Sequence, residues 1–589
     1  MTTCDPITLE IIKGTLRAAQ LEMEALLERT AMSPVIREKK DFFAGYFDAQ
    51  GQLITGTNLP LFGHIIQPIL DQYPSQTMQS GDIYWYNDCY ASNGGVSHSP
   101  DQVFAAPVFV RGQLVGFAQS WAHFHDIGGA WPGSMSPTAT DIFQEGIIIP
   151  PVRLYQEGEL NEDVFRIFLG NTRFPEQMQG DVRALTAAVR LGERRFVEMF
   201  ERFGLDTVLD GFRGLNRQTR DGVVRQLRAT FKPGSYAFAD AVDGDGLGNG
   251  PLTIRMRLDV TADRIAIDAT ATDDQAPGPV NFLMNPAVPR MVFGIYAMAT
   301  DPTLLINEGA MHAVDEVKLR PGSLLQPRFP APLNQRGLTM IRTQNVCAGL
   351  LNVASGGQAV AASNAYSIHF FRGTNPDGMP FHMSDGVGVG HGARPYADGH
   401  DAVYYVAQEN NPAEFVDIEF PMRLLGYGIH RDSGGPGRWR GGCGTVRTIQ
   451  WMGEDAVMAA RYDGVANPPW GVNGGRSARP GRACINPGTK HEREVKSLED
   501  GAPVKRGDII RFETGGGGGW GHPFDRESAR VLDDVLGDYV SIEAARADYG
   551  VVIDEKGPRV DEAATAKLRR DHRPPAKLFH RRKYVDEMV

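Results

Sequence analysis

Two short stretches of the sequence gather the residue types that bind metal ions or transfer protons. SHSPDQ contains His98 and Asp101, and AHFHDIGG, further along the chain, contains His123, His125 and Asp126. The chain has only 14 histidines in 589 residues, so three histidines in these two stretches are a local excess. Imidazole nitrogens combined with carboxylate oxygens suit zinc, manganese or iron. These stretches are therefore the first candidates for a functional site.

The sequence between the two stretches predicts a β-hairpin that would bring them together. The β-prone runs 103–110 and 114–121 flank a short connection that contains glycine, which is typical of a hairpin turn. In that antiparallel pairing Asp101 lies opposite His123, and facing side chains in a sheet are about 5 Å apart at Cβ. His98 lies three residues before Asp101, across a Ser-Pro bend that can fold its ring back to the same point. Two imidazoles and a carboxylate are therefore expected at the open end of the hairpin.

Three interpretations of this convergence remain open on the residues alone. The first is a metal site with two nitrogen ligands and one oxygen ligand, to which Asp41, just ahead of an aromatic strand, could add a fourth ligand. The second is a set of hydrogen-bonded structural polar residues, and the third is a metal-free acid–base pair. His125 and Asp126 would more naturally support a ligating imidazole, because such a ring usually passes its second N–H to a carboxylate or carbonyl.

The composition is typical of a soluble globular protein, with 42% hydrophobic and 22% charged residues. The net charge of −11 and the pI of about 5.7 give no basic face for nucleic acid. No apolar run reaches the ~18 residues of a membrane helix, and the N-terminus lacks the pattern of a secretory signal. The five cysteines are scattered, without a CxxC pair, which argues against a disulfide framework or a thiolate zinc site. We therefore expect a cytoplasmic protein that binds neither nucleic acid nor membrane.

The pattern along the chain predicts an α+β fold. Asp5-Pro6 begins a long helix with an apolar stripe, FFAGYFDAQGQLI reads as a hairpin, and a second helix is expected over 181–203. Later, glycine and proline punctuate short alternating strands, and the chain ends in a charged helical part with a basic, proline-broken tail that docks or frays. The predicted fold is therefore a β-rich, multi-domain chain with an N-terminal helix, a metal-bearing hairpin region and a helical C-terminal tail. The predicted divisions are an N-terminal metal-binding α+β domain over 1–230, a β-rich domain with Gly-rich loops over 231–525, and a helical segment over 526–589.

Two glycine-rich stretches do not predict a nucleotide site. ETGGGGGWGHPFD, residues 513–525, lacks the Gly-Lys-Ser/Thr ending of a phosphate-binding loop, and no such motif occurs elsewhere in the chain. Close approach of backbones or a flexible turn is the favoured interpretation, because glycine has no Cβ. DSGGPGRWRGGCG, residues 432–444, favours a tight corner between strands, with contact of its arginines to a substrate or partner as the alternative.

The order of these motifs resembles the hydantoinase B family. GDIYWYNDCY, GGVSHSPD, AHFHDIGG, QEGIIIPPVRLY and GELNED follow one another, and DSGGPGRWRGGCG, GGGGGWGHP and SIEAARADYGVV extend the likeness over nearly the whole chain. That family includes the second half of ATP-dependent 5-oxoprolinase, caprolactamase, and subunits of acetone and acetophenone carboxylase. The resemblance is specific for the family but not for a substrate.

The resemblance implies a divalent metal ion, for which zinc, manganese and iron are the candidates. The family's His-x-x-Asp motif, the following His and an Asp near the N-terminus look like the metal ligands. Carried over to this sequence, they are His98, Asp101, His123 and Asp41, and all four are present.

The same resemblance suggests two catalytic residues and shows two departures. Asp126 is expected beside the ligating imidazoles, and Glu145, in QEG, is expected as an acid–base helper. The family's usual His-His-Ala-Asp reads His123-Phe-His125-Asp in this chain, which leaves the first ligand intact and the role of His125 open. Its usual Asn-Asp-Pro-Tyr reads Asn-Asp-Cys-Tyr at 87–90, which is expected to reshape the pocket wall.

The resemblance also implies a partner and a reaction. Family members work with a larger hydantoinase A-type subunit that resembles actin-like ATPases, and this partner would bind ATP and Mg and phosphorylate a small cyclic amide. The present chain would then open the activated lactam, hydantoin or 5-oxoproline ring, in a hetero-oligomer such as an α2β2 assembly. Two alternatives stay open: a subunit of an acetone- or acetophenone-type carboxylase, and a non-catalytic scaffold subunit with a structural metal.

Overall fold

Helices and strands alternate throughout the chain, in agreement with the predicted α+β class. The computed structural model describes residues 4–57, 63–299, 301, 303–374, 378–404, 408–554, 557–585 and 588. The helices are α1 (Pro6–Thr30), α2 (Pro34–Arg37), α3 (Gln67–Gln72), α4 (Glu162–Leu169), α5 (Pro175–Phe203), α6 (Leu205–Thr230), α7 (Ala287–Met298), α8 (Gly337–Ser355), α9 (Ala413–Glu419), α10 (Ser528–Leu536), α11 (Ile542–Tyr549) and α12 (Glu562–Asp571). Among these described helices, none combines the length and apolar character that crossing a lipid bilayer requires.

The first helix begins where the sequence predicts it. The Asp5 carboxylate accepts hydrogen bonds from the backbone N–H groups of Ile7 and Thr8, which satisfies donors that a helix start leaves free. Helix α1 packs against α5 and against the first sheet. The residues that it buries there form one stripe and include Ile12, Leu16, Ala19, Met23 and Leu27.

A seven-stranded antiparallel sheet carries the two motif stretches. Its strands are β1 (Phe42–Asp48), β2 (Leu53–Gly56), β3 (Ile83–Tyr86), β4 (Asp101–Val110), β5 (Gln113–His123), β6 (Val152–Gln156) and β7 (Glu159–Leu160). They lie in the order β2-β1-β5-β4-β3-β6-β7. Strands β1 and β2 form the predicted first hairpin, in whose turn the Asp48 carboxylate accepts hydrogen bonds from the backbone N–H groups of Gln50 and Gln52.

The register of β4 and β5 is the one that the sequence predicts. Asp101 pairs with His123 at the open end of the hairpin, and the ladder ends nine residues later, where Val110 pairs with Gln113 after a register shift between Val108 and Phe109. Strand β1 lies on the other side of β5, with Phe42 opposite Ala122. The residue that precedes β1 therefore lies next to His123.

A second sheet follows helix α6. It consists of β8 (Gly234–Val242), β9 (Leu252–Val260), β10 (Ile265–Asp268) and β11 (Glu316–Lys318) in the order β11-β10-β9-β8. Helix α8 packs on β8 and β9. The close contact of this helix with the sheet requires a small residue, since a Cβ on Gly349 would lie 2.2 Å from the Phe238 ring.

The remaining strands form three further sheets. They are β12 (Ser367–Thr374), β13 (Pro380–Val387), β14 (Met422–Ile429), β15 (Thr445–Trp451), β16 (Ala456–Arg461), β17 (Gly471–Val472), β18 (Arg482–Ile485), β19 (Arg493–Val495), β20 (Ala502–Val504), β21 (Ile509–Glu513), β22 (Phe579–Arg581) and β23 (Lys583–Val585). The sheets β13-β12-β16-β20 and β14-β15-β21-β18-β19 share one core that contains Phe371 and Trp451. The third sheet is β17-β22-β23.

The C-terminal part contains the predicted helices and ends in a docked hairpin. Helices α10 to α12 precede β22 and β23, and β22 pairs with β17. The Phe579 ring is buried beside Phe238 and Trp470, at centroid distances of 4.9 and 5.2 Å. The basic tail therefore docks rather than frays. One hydrophobic core contains Met135, Phe238 and Phe579, so packing crosses the divisions at 230 and 525, which stay predictions.

The run of five glycines lies where loops stack backbone against backbone. A Cβ on Gly517 would lie 2.1 Å from the His391 carbonyl, and a Cβ on Gly518 would lie 1.9 Å from the Trp470 oxygen. The other glycine-rich stretch packs on the same layer, since the Gly435 N–H donates to the Gly517 carbonyl at 2.8 Å. The predicted close approach of backbones is therefore confirmed.

The substitution Gly517→Ala tests this packing. We expect a loss of about 1–3 kcal/mol or more in the free energy of unfolding, because surrounding backbone atoms must move to admit one methyl group. Gly14→Ala is the matched control, because a Cβ there meets nothing within 4 Å and alanine favours the α1 helix by about 1 kcal/mol. Chemical denaturation measures both variants, and equal stability of the two would contradict the stacked-loop interpretation.

Candidate metal centre

Three side chains converge at the open end of the β4–β5 hairpin. The His98 Nε2 lies 2.9 Å from the Asp101 Oδ1 and 3.2 Å from the His123 Nδ1. The third distance, from the His123 Nδ1 to the Asp101 Oδ1, is 3.3 Å. One potential ligand atom from each residue lies within 4.8 Å of the others, which is the separation expected of atoms that share one cation.

Asp41 joins this cluster from the neighbouring strand. Its Oδ2 lies 3.9 Å from the His123 Nδ1, and its backbone carbonyl accepts a hydrogen bond from the His123 N–H at 3.0 Å. Spacing along the chain alone assigns this residue little weight. The sheet brings Asp41 to the site, because β1 pairs with β5 and so sets the start of β1 beside the end of β5.

A tight bend returns His98 to the hairpin. The Asp101 N–H donates to the His98 carbonyl at 3.1 Å. The side-chain amides of Asn87 and Gln102 both donate to the Ser99 carbonyl, at 2.8 and 2.9 Å. Backbone groups of the bend are thereby satisfied inside the protein, which a buried turn requires. Asn87, in the stretch that departs from the family pattern, therefore helps to hold the bend.

The electrostatics of the cluster match what a metal ion requires. Burial, reinforced by the Arg336 guanidinium, lowers the pKa of His98 to about 3, so this imidazole is neutral at physiological pH. Burial alone would raise the pKa of Asp101, but His98 and the hydrogen bond from His123 lower it. Metal ligation needs neutral imidazole and ionised carboxylate. The two imidazole nitrogens and the Asp101 oxygen therefore fit a divalent ion of the zinc, manganese or iron kind. Burial raises the pKa of Asp41, whose carboxyl group lies beside this set.

The cluster opens into a small cavity of about 70 Å³. Its wall includes three basic residues that sequence reasoning missed, Lys39, Arg336 and Arg461. Lys39 could have been found from REKKDFF, since it lies two positions before Asp41. The two arginines come from distant parts of the chain and carry no local signal.

The chain is similar to known proteins over nearly its whole length. The sequence profile of the hydantoinase B/oxoprolinase family matches residues 5–523. The chain belongs to this family. It is 30% identical to the caprolactamase subunit beta of Pseudomonas jessenii, over 97% of this chain and 100% of that subunit. It is 27% identical to the acetophenone carboxylase delta subunit of Aromatoleum aromaticum, over 90% and 84% of the two chains.

The fold is shared with a solved structure. The crystal structure of ATP-dependent caprolactamase from Pseudomonas jessenii matches with a TM-score of 0.83 and 27% identity, covering 96% of this chain and 100% of that one. The predicted family resemblance and the predicted fold class are therefore both confirmed.

Asp126 of this hydantoinase B-family chain is buried and fully engaged. Its Oδ1 accepts hydrogen bonds from the Gly128 and Arg173 backbone N–H groups, and its Oδ2 accepts from the Gly133 N–H and from the Arg173 guanidinium, the last at 2.9 Å. These contacts tie the segment after β5 to the start of α5. The catalytic assignment of Asp126 stays a prediction, and its hydrogen bonds favour a positioning role. The neighbouring His125 packs edge-on against Phe174.

Glu145 lies behind the cavity wall. Its Oε1 accepts hydrogen bonds from the backbone N–H groups of Leu333 and Asn334, both at 2.8 Å. Its Oε2 is buried and has no hydrogen-bond partner among the described residues. Burial raises the pKa of Glu145 to about 8. The residue does not line the cavity in the part of the chain that the structure describes, and its catalytic assignment stays a prediction.

The raised pKa of Glu145 predicts a pH-dependent stability. A carboxyl whose folded-state pKa is about 8, above its ordinary 4.5, binds its proton more tightly in the folded protein. The contribution of this tightly bound proton to the free energy of unfolding is therefore fully present below about pH 4.5 and is lost as the pH rises toward 8. We expect the wild-type protein to lose about 2–3 kcal/mol relative to Glu145→Gln between about pH 6 and about pH 9. Urea denaturation at both pH values measures this difference.

Glu159→Gln is the control for this experiment, because Glu159 lies exposed on strand β7. The free energy of unfolding of Glu159→Gln should equal that of the wild-type protein at both pH values. A Glu145→Gln variant that also follows the wild-type protein would contradict the assignment of the pH dependence to Glu145.

Proposed function

We propose that this chain is the metal-bearing subunit of an ATP-dependent enzyme that opens a cyclic amide, such as a lactam, a hydantoin or 5-oxoproline. The observation that carries the proposal is the convergence of His98, Asp101 and His123, with Asp41 beside them, in a buried cavity of a hydantoinase B-family chain. The name of the caprolactamase relative supports the reaction class.

The four convergent side chains would hold the metal ion. When bound, a divalent ion would supply a Lewis acid and would lower the pKa of a coordinated water toward neutrality. His98 and His123 would offer ring nitrogens, and Asp41 and Asp101 would offer the balancing negative charge. Arg336, whose Nη2 lies 3.8 Å from the Asp101 Oδ2, would keep Asp101 ionised and oriented toward the imidazoles.

The activation of the substrate is assigned to a partner subunit. An unstrained amide is a poor electrophile, so its oxygen would first be phosphorylated by a larger hydantoinase A-type ATPase with an actin-like fold. The sequence lacks the Gly-Lys-Ser/Thr ending of a phosphate-binding loop, which favours an ATP and Mg site outside this chain. The relatives are named as subunits, which supports a hetero-oligomer such as an α2β2 assembly in the cytoplasm.

Two residues beside the cavity have proposed auxiliary roles. Asp126 would position the strand end that carries His123, through its hydrogen bonds to the following loop. Glu145, with a pKa of about 8, would be a proton donor of suitable strength near neutral pH.

A carboxylase subunit is the second candidate. The similarity to the acetophenone carboxylase delta subunit supports it, and the same metal site would then orient an activated ketone and carbon dioxide. A scaffold subunit with a structural metal is the third candidate.

The substitution His123→Ala tests the metal site. We expect its metal content to fall from near one ion per chain to a small fraction, because loss of one direct ligand weakens binding by more than the 10–100-fold that loss of a supporting contact costs. Elemental analysis of the purified protein measures the content. His491→Ala, at an exposed residue, is the control and should keep the wild-type content. Equal metal content in both variants would contradict the ligand assignment.

Activity of the chain co-purified with its ATPase partner tests the reaction. We expect ATP consumption coupled to ring opening with at least one member of a panel of lactams, hydantoins and 5-oxoproline, and a loss of at least about 100-fold in His123→Ala. Coupled consumption of a ketone and bicarbonate instead would favour the carboxylase candidate. Full activity of an intact His123→Ala assembly would favour the scaffold candidate.

A further inference from the structure

Positive charge lines the same cavity as the candidate metal ligands. Lys39 is 3% exposed, Arg461 is 2% exposed and Arg336 is 8% exposed, and all three line the cavity. They come from three separate elements: the segment after α2, the end of β16 and the residue before α8. Three separate segments therefore each place one buried basic side chain in the wall of the same small cavity.

Two of these cations have no carboxylate partner among the described residues. The Arg461 Nη1 donates to the Gln335 Oε1 at 2.9 Å, and the Arg461 Nε is buried without a hydrogen-bond partner in that part of the chain. Within those same residues the Lys39 ammonium has no ion pair or hydrogen bond, and it lies over the Tyr404 ring, 5.6 Å from the ring centre. Arg336 donates two hydrogen bonds to the Ser97 hydroxyl. Donors on all three cations thus remain available to the cavity.

This arrangement differs from other buried cations of the molecule. Elsewhere a buried guanidinium is matched by an adjacent carboxylate, as in the pairs Arg342–Asp463, Arg447–Asp385 and Arg526–Asp398. Such matching is expected, because an unpaired buried charge is costly. The cavity is therefore a place where positive charge is retained without a full internal counter-charge.

A bound metal ion would increase the excess of positive charge in the cavity. Asp41 and Asp101 supply two negative charges, which a divalent ion cancels. Burial lowers the pKa of Lys39, and the charge that chiefly opposes this effect is Asp385, which is already paired with Arg447. Arg461 has no ion pair among the described residues. Burial lowers the pKa of Arg461, and the positive charge of the neighbouring Arg336 lowers it further. A multiply charged anion would restore the balance.

We propose that Lys39, Arg336 and Arg461 form a subsite for the phosphoryl oxyanion of an activated substrate, directly beside the metal ligands. The proposal rests on the proposed function, since it concerns the group that a phosphorylating partner would add. Guanidinium forks and an ammonium that reach the cavity from different elements suit a tetrahedral oxyanion. The cavity of about 70 Å³ has room for such a group but not for a nucleotide. The subsite would hold the phosphoryl group while the adjacent carbon faces the metal ligands.

Titration of the metal-loaded full-length chain with inorganic phosphate tests this subsite. Without the partner subunit, the ATP site of the complex cannot contribute to phosphate binding. We expect calorimetry to show phosphate binding to the wild-type chain, weakened by about tenfold or more in Arg461→Met and in Lys39→Met, since each loses a charge-assisted contact. Metal content should stay at the wild-type value in both variants. Arg461→Lys, which keeps the charge, should bind phosphate with an intermediate affinity.

Two controls separate the subsite from its alternatives. Arg506→Met removes a charge from an exposed pair with Glu454 and should leave phosphate affinity unchanged. Acetate should bind at least about tenfold more weakly than phosphate, because a single carboxylate offers less charge and fewer acceptors. Acetate binding as tight as phosphate binding would overturn the phosphoryl assignment in favour of a carboxylate subsite.

The outcomes also distinguish this proposal from the proposed function. Absence of phosphate binding to the metal-loaded wild-type chain, or equal affinity in wild-type, Arg461→Met and Lys39→Met, would overturn the subsite while leaving the metal site intact. A wild-type chain that takes up no metal would instead overturn the proposed function. The subsite would still be tested by comparing the phosphate affinity of the wild-type chain with that of Arg461→Met and Lys39→Met.

Discussion

The candidate site depends on the antiparallel pairing that sets Asp101 opposite His123. Side chains in a strand alternate between the two faces of a sheet, so a slip of one residue would send these two groups to opposite faces. Arg111 and Gly112 adopt positive φ angles of 52° and 79° in the turn, which suits the twist of a tight hairpin. Strand β1 holds the other edge of β5 through the Phe42–Ala122 pair. The register is thus specified from two sides.

The same pairing creates an electrostatic cost that other parts of the fold offset. Two carboxylates and two imidazoles are gathered away from water, where charges of one sign repel strongly. Burial raises the pKa of Asp41, whereas the imidazoles and Arg336 hold Asp101 ionised. A cation placed among these oxygens would stabilise the cluster, which supports the proposed metal site.

Local sequence signals were sufficient for some of these features and insufficient for others. The Asp5 cap and the β4–β5 register follow from capping residues, alternation and a short turn, all of which act between near neighbours in the chain. The position of Asp41 beside His123 depends on β1 pairing with β5. The position of Arg461 in the cavity wall depends on a sheet formed hundreds of residues later in the chain. Periodicity cannot reveal such contacts, because they are set by tertiary packing. The docked strands of the C-terminal tail, buried through Phe579, were hidden for the same reason.

The walls of the cavity come from separate parts of the fold. The candidate metal ligands lie in or beside the first sheet, whereas Ile368 and Phe370 of β12 and Arg461 of β16 form another part of the wall. These two strands pair with each other. Ile368 and Phe370 belong to the hydrophobic core that also contains Phe238 and Phe579, whereas the buried side chains of the first sheet belong to other cores. The β12–β16 wall can therefore change without altering the register of β4 and β5. The relatives of this chain include a caprolactamase subunit and an acetophenone carboxylase subunit, which is compatible with this division, in which one sheet carries the candidate metal ligands and another forms a different part of the cavity wall.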